Sequence, residues 1–237
     1  MVIAAGLGWM LDAFDVLLYS IVVTHLMQAF NMSRTTAGLL NALTLAASAL
    51  GGLLFGLLAD RFGRRRMLSA SILFYSICTF ACGLSTTIFA LGVFRFLLGL
   101  GMGGEWNTGA TLVAETWPAE WRGRAMGIVQ SSWGVGYALA AVVAWLILAH
   151  ASWRWVFFAG ILPGLLVFWI QRSVPEPPAW ERSRSSFVPG DRRRALRGSL
   201  RPLLILTGMN TFGMFGWWGL FTWIPAYLVL PAAQGGR

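Results

Sequence analysis

The chain has 237 residues, 57% of them hydrophobic and 11% charged, with a mean hydropathy of +0.67 and a formal net charge of +9. Soluble domains carry about 25% charged residues, and a soluble protein this apolar could not cover its surface, so the composition excludes a soluble enzyme. It also excludes a nucleic-acid binder, because the basic residues, all 18 of them arginine, cluster in short segments between long uncharged runs instead of forming a stripe.

Uncharged runs of about 20 residues match the ~30 Å apolar thickness of a bilayer. A span must be helical, since lipid leaves no partner for free backbone groups. The first run, roughly residues 3–25, holds Asp12 and Asp15, which interrupt what would otherwise be the apolar core of a cleavable signal. The second, 37–58, holds Asn41. The third, 67–84, holds Cys78 and Cys82, four apart on one helical face, which fit two small buried side chains better than a redox or metal pair. The fourth, 88–113, holds Arg95, a run of glycines, Glu105 and Asn107. The fifth, 125–148, holds Gln130, Ser131, Ser132 and Trp133. Its Gly134, Ala138 and Ala141 have the spacing of a tight helix-packing face. A sixth run covers 155–170. Residues 173–201 are rich in Pro, Ser and Arg and predict a cytoplasmic linker with one short surface helix near 192–200. A seventh run, 203–230, carries Asn210 and the tryptophans 217, 218 and 223 as interfacial anchors.

The arginines set the orientation. With the N-terminus inside, fourteen fall in the loops after spans two, four and six, and three (Arg34, Arg154 and Arg237) fall outside. Cytoplasmic loops carry the excess of basic residues. The expected topology is an inner (plasma) membrane protein with a cytoplasmic N-terminus. Its expected organisation is a six-helix bundle over 1–172, a basic linker over 173–201 and the first helix of a further bundle over 202–237.

Between spans two and three lies Gly56-Leu-Leu-Ala-Asp60-Arg61-Phe-Gly63-Arg64-Arg65-Arg66. Gly56 would allow close helix approach and Gly63 a tight turn. Asp60 stands at a helix C-terminus, where the dipole disfavours a carboxylate unless cations pair with it. The corner suits a salt-bridge latch that forms in one conformation and breaks in another. The pattern resembles the signature loop of the major facilitator superfamily. Arg95-Phe-Leu-Leu-Gly99-Leu-Gly101-Met-Gly103-Gly104 resembles that superfamily's fourth-helix motif. Glu115, followed by Pro118 and Arg122-Gly123-Arg124, resembles its corner between helices four and five. Trp153-Arg154-Trp155 with Pro163, then Val174-Pro175-Glu176-Pro177-Pro178, resembles the sixth helix and its exit. Asp12-Ala13-Phe14-Asp15 resembles the acidic motif of aromatic-acid and related organic-acid proton symporters. Gly104-Glu105-Trp106-Asn107 and Gln130-Ser131-Ser132-Trp133 resemble metabolite, lactate and sialic-acid symporters. The fifth span lacks the Gly-Pro pair of drug antiporters. The resemblance implies an all-α polytopic fold, the N-terminal six-helix bundle plus a seventh helix, and a latch of Gly56, Asp60, Arg61, Gly63, Arg64, Arg65, Glu115, Arg122 and Arg124.

Charges inside a bilayer are costly and mark pairing or function. Four stand out: Asp12, Asp15, Arg95 and Glu105. At ~1.5 Å per residue, Asp15 lies ~18 Å from the inner end of its span and Arg95 ~27 Å from the inner end of the antiparallel fourth, an offset that tilt and an extended arginine could close. Asp12 and Glu105 lie near ~12–14 Å. Desolvation and like charge favour the protonated form of a carboxylate, and a nearby guanidinium favours the ionised one. Moving the arginine, or engaging it with a substrate carboxylate, would couple a proton to an anion. Asp15 is expected to carry the proton with Arg95 as its partner, and Asp12 and Glu105 to be secondary. The alternative is a static buried ion pair. Asn41, Asn107, Gln130, Ser131, Ser132, Trp133 and Asn210 could line a polar cavity or bond neighbouring helices. No metal spacing, nucleotide loop or nucleophile triad is present, so neither a cofactor nor a catalytic residue is expected. The expected function is proton-coupled symport of a small organic acid by alternating access, with lipid, proton, an organic anion and a missing C-terminal half as partners. A non-transporting remnant or sensor, and a sugar facilitator, are the rival readings.

Overall fold

The computed structural model describes residues 2–177, 180 and 191–229, with side chains outside the description at 191–199, 203, 210, 215, 221 and 222. The described residues form eight helices and no strand: α1 Val2–Ala29, α2 Arg34–Phe62, α3 Arg64–Leu84, α4 Ile88–Thr116, α5 Arg122–Leu148, α6 Trp153–Ala159, α7 Pro163–Ser173 and α8 Asp191–Val229. Six segments are long and apolar enough to cross a membrane: α1 to α5, and α6 with α7 as Trp153–Ser173. Two compact units result, Met1–Glu181 and Arg182–Arg237.

Local sequence explains where the helices start and stop. Ser33 caps α2 by accepting from the Thr36 amide at 3.1 Å, and Thr87 caps α4 by accepting from the Ala90 amide at 3.1 Å. Gly63 separates α2 from α3 at φ 110°, a value that L side chains rarely adopt. Its amide donates back to the Ala59 carbonyl at 3.1 Å. The sixth span is broken at residues 160–162, because Pro163 lacks an amide hydrogen and opens a new helix in its first turn.

Within the first unit, α2 packs against α4, α1 against α5, and α3 against α4, α6 and α7. Glycines permit the closest approach. A Cβ at Gly103 would collide with the Ser48 carbonyl, and one at Gly51 with the Leu100 carbonyl, so the α2 and α4 backbones touch there. Gly136 does the same for α5 against the Met10 carbonyl of α1. The α5 packing face is therefore Gly136, Ala140 and Ala144, all buried. The expected Gly134, Ala138 and Ala141 instead lie on its exposed side, with open space at Gly134. Gly56 departs from expectation in the same way, since no neighbouring atom lies within 4 Å of a Cβ built on it. Helices α2 and α5 keep one long apolar face uncovered, with Leu39, Leu50, Leu53 and Leu57 exposed on the first and Val135, Val142 and Trp145 on the second.

The second unit corrects the expected linker. Residues 191–201 do not form a separate surface helix. They continue without interruption through Pro202 into α8, which runs 39 residues, or ~58 Å at 1.5 Å per residue. Its apolar part is diluted by Gly208, Gly213, Gly216 and Gly219, and α8 is not among the six spans selected by composition. The linker arginines 182 and 184 lie outside the described residues.

Candidate functional site

Two groups of charged side chains stand out in the first unit, one inside the bundle and one at its arginine-rich rim. Inside, Asp12 and Asp15 of α1, Arg95 and Glu105 of α4 and Tyr75 of α3 are all buried. Asp15 Oδ2 accepts from Thr79 Oγ1 at 3.0 Å, a hydroxyl that also reaches the Tyr75 carbonyl at 3.0 Å. Asp15 Oδ1 has no hydrogen-bond partner and lies against Gly160, at the break between α6 and α7. The Glu105 carboxyl occupies space that the missing side chain of Gly8 leaves on α1. Glu105 Oε2 and Asp12 Oδ1 also lack partners, and Asp12 acts electrostatically on Glu105. The Tyr75 hydroxyl, likewise unpartnered, feels Asp15, Asp12 and Glu105 together.

Arg95 does not pair with Asp15 as the axial depths suggested. Among the described residues, the ion pairs within 4.0 Å involve only Arg64 and Arg65. The Arg95 guanidinium turns to α2, donating from Nε to Thr44 Oγ1 at 3.0 Å and from a terminal nitrogen to Asn41 Oδ1 at 3.3 Å. It also covers the Tyr19 ring at 3.8 Å, a cation–π contact. Asp15 faces α3 and the broken sixth span, so Arg95 reaches it only through space. The sequence gives depth along each helix but not the direction in which a side chain leaves it. Thr79, Thr44, Tyr19 and Tyr75 were missed for that reason, although Tyr19 follows Asp15 by four residues and shares its face.

At the rim, Arg64 is a hub. It donates to Asp60 Oδ1 at 2.7 Å and to Glu115 Oε1 from two nitrogens at 3.0 and 3.2 Å. This arrangement joins α2, α3 and the end of α4. Arg65 sends its guanidinium to the Val174 carbonyl at 3.2 Å, beyond the end of α7. The other expected members lie apart from the hub. Arg61 covers the Phe62 ring, Arg122 donates to the Trp117 carbonyl at 3.0 Å, and Arg124 covers the Trp121 ring. Glu176 joins the rim instead. Its carboxylate accepts from the Arg65 amide at 3.1 Å and the Arg66 amide at 3.4 Å. It thereby caps α3, whose own N-cap residue is glycine. The Trp180 indole N–H donates to the Asp60 carbonyl at 3.0 Å.

The cavity candidates divide. Asn41 holds Arg95, and Ser132 bonds the neighbouring helix through the Gly6 carbonyl at 2.7 Å. Asn107, Gln130 and Ser131 are exposed. Trp133 stacks on Trp9, and the side chain of Asn210 lies outside the described residues.

The first unit is thus a bundle of six membrane-length apolar segments with an arginine hub at a charged rim and buried acids inside. Residues 3–232 match the Major Facilitator Superfamily, and the chain belongs to it. It is 35% identical over 232 residues to a probable 4-methylmuconolactone transporter of Cupriavidus pinatubonensis, covering 93% of this chain and 53% of that protein. It is 36% identical over 236 residues to the cis,cis-muconate transport protein of Acinetobacter baylyi, covering 94% and 56%. The chain thus spans about half the length of the curated relatives it matches. Among solved structures, it resembles the proton:xylose symporter XylE bound to 6-bromo-6-deoxy-D-glucose, with a TM-score of 0.71 and 25% identity, covering 77% of this chain and 46% of that one. An inward-facing, unoccupied bacterial homolog of the human lysosomal transporter Spinster superposes with a TM-score of 0.75 over 100% of this chain and 56% of that one. At 21% identity, that likeness shows the fold alone.

Proposed function

We propose that these helices serve a proton-coupled carrier of small organic acids working by alternating access. In this reading Asp15, Asp12 and Glu105 exchange the proton, and Arg95 supplies positive charge for an organic anion. The Asp60–Arg64–Glu115 hub is a conformational latch at the cytoplasmic rim of an inner-membrane protein whose N-terminus is also cytoplasmic. The observation that carries the reading is the set of three buried carboxyl groups, each with an oxygen lacking a donor and none within 4.0 Å of a cation among the described residues. A carboxylate in an apolar interior must find a cation or take up a proton. A static structural cluster would satisfy these oxygens, whereas a cluster that loads and unloads protons leaves them free. The organic-acid substrates named for the relatives in C. pinatubonensis and A. baylyi support the substrate class. A neutral sugar would leave the buried charge of Arg95 without a task.

The test uses a twelve-helix carrier containing these helices, reconstituted in vesicles with radiolabelled cis,cis-muconate and an imposed pH gradient. Asp15→Asn should abolish accumulation against a gradient while retaining exchange, which needs no net proton movement. Arg95→Ala should impair both. Normal pH-driven accumulation by Asp15→Asn would pass the coupling role to Asp12 or Glu105. A wild-type carrier that neither accumulates nor exchanges organic acids would favour the non-transporting reading.

A further inference from the structure

Four aromatic rings from three helices converge beside the interior acids. Trp9 of α1 lies between Trp106 of α4 and Trp133 of α5, with ring centroids 4.1 and 4.3 Å away and planes tilted by 36° and 40°. Tyr137, one turn beyond Trp133, extends the stack at 5.6 Å. The acids are its immediate neighbours in the chain. Glu105 precedes Trp106, Asp12 follows Trp9 by three residues, and the Glu105 carboxyl rests against Gly8 next to Trp9.

Membrane tryptophans commonly sit at the lipid–water boundary as anchors. This stack does not fit that role. Trp9 lies ~10 Å from the start of α1, Trp106 ~15 Å from the end of α4 and Trp133 ~16 Å from the start of α5, at 1.5 Å per residue. Two polar side chains, Asn107 and Gln130, are exposed at the same depth along α4 and α5. The uncovered face of α2, by contrast, is a row of leucines. Each of the four rings is only partly covered. The Trp9 indole N–H also has no acceptor, whereas a tryptophan in a finished core finds one. A half-covered aromatic fan backed by titratable groups has the chemistry of a binding wall.

We propose that Trp9, Trp106 and Trp133 form the specificity subsite of the carrier, a platform that selects acids with a flat, conjugated carbon skeleton over saturated acids of equal length and charge. The proposal rests on the organic-acid reading above. The partly exposed rings of the stack take the flat skeleton in offset or tilted contact, the geometry that aromatic quadrupoles favour. Gln130, exposed one turn before Trp133, offers the carboxylate of such a guest a hydrogen bond, whereas Asn107 turns its amide toward Gly52 of α2. Saturated chains gain only ordinary burial on the same surface.

The test is calorimetric binding of cis,cis-muconate and adipate to a purified twelve-helix carrier containing these helices, in lipid nanodiscs. The two are six-carbon dicarboxylates that differ in conjugation. Wild type should favour muconate by about three- to tenfold, the worth of one stacking contact. Trp133→Leu and Trp106→Leu should each reduce that preference toward unity. Trp133→Phe, which keeps a flat ring, should retain most of the preference and controls for misfolding. Equal wild-type affinity for the two acids would overturn the platform and leave the organic-acid reading standing. Binding of neither acid would overturn both. An unchanged preference in the leucine variants would overturn the assignment to these rings.

Discussion

Removing Glu176 tests whether the segment leaving the sixth span fastens the rim. Helix α3 begins directly after Gly63, which offers no side-chain acceptor, so its first amides need an outside partner. Glu176 supplies one from more than a hundred residues away, at 3.1 Å from the Arg65 amide and 3.4 Å from that of Arg66. Its side chain is 12% exposed, so solvent screens it little. Losing a capping acceptor costs about 0.5–2 kcal/mol, and losing a carboxylate from the positive end of a helix costs about 0.3–1 kcal/mol. The two overlap, and Glu176→Ala should cost about 1–2 kcal/mol locally. That corresponds to roughly five- to thirtyfold faster amide exchange at Arg65 and Arg66. Glu176→Gln keeps an oxygen acceptor and loses the charge, so its effect should be smaller, about two- to fivefold. Hydrogen exchange of the peptide covering 64–70, read by mass spectrometry on the purified chain, makes the measurement. Unchanged exchange in both variants would refute the cap. An equal effect of the two would show that charge, not capping, dominates.

Glu115→Gln should lower thermal stability more than Asp60→Asn, because Glu115 faces two guanidinium nitrogens and is 22% exposed, whereas Asp60 is 44% exposed and pairs at i,i+4. An exposed pair of that kind is worth about 0.3–0.5 kcal/mol, and the reverse order of melting temperatures would overturn Arg64–Glu115 as the stronger arm of the hub. In a complete carrier, Asp60→Asn should impair transport and leave membrane insertion intact, and unaltered transport would reduce the corner to a topology signal. Gly103→Ala should destabilise by about 1–3 kcal/mol through overpacking against the Ser48 carbonyl. Gly134→Ala, which meets open space, should be neutral or stabilising by up to about 1 kcal/mol, and equal melting temperatures for the two would contradict the assigned packing faces. Cysteine placed at position 34 should be labelled from outside the cell and at 184 should not, and the opposite pattern would invert the topology.

The fold was legible because lipid dictates it: any segment of the required apolar length must be a helix, and the seven runs mark where helices fall. Refinements depended on individual residues. Pro163 opens a second helix after Gly160, yet Pro202 lies inside α8 without ending it, so proline alone does not decide. Small-residue spacing was equally ambiguous. Gly134, Ala138 and Ala141 have nearly the same spacing as Gly136, Ala140 and Ala144, and only the second set is buried, with Gly136 against α1. The rim motif pointed to Asp60, Arg64 and Glu115, which come together, and to Arg61, Arg122 and Arg124, which meet nearby carbonyls and rings. Glu176 was visible as part of a motif, but its task is a contact between distant segments, and no local pattern encodes that. The interior acids were found from cost alone, since a charge in an apolar run is conspicuous. Their partners were not, because Thr79 and Thr44 are ordinary residues until the helices are packed.

The contrast between rim and interior carries the functional argument. At the rim, water is near, an unpaired carboxylate would cost little, and yet Asp60, Glu115 and Glu176 are all bonded. In the interior an unpaired carboxylate is expensive, and yet Asp12, Asp15 and Glu105 each keep an oxygen without a donor. Stability alone would produce the opposite distribution. On the proposed reading, the rim bonds hold one arrangement and release in another. The interior acids make sense as groups whose charge is not fixed. A thermally neutral Asp12→Asn combined with lost coupling would therefore support the argument more strongly than a destabilised variant, because it would separate the proton's role from the packing of the bundle. Retained coupling in Asp12→Asn, Asp15→Asn and Glu105→Gln alike would sink it.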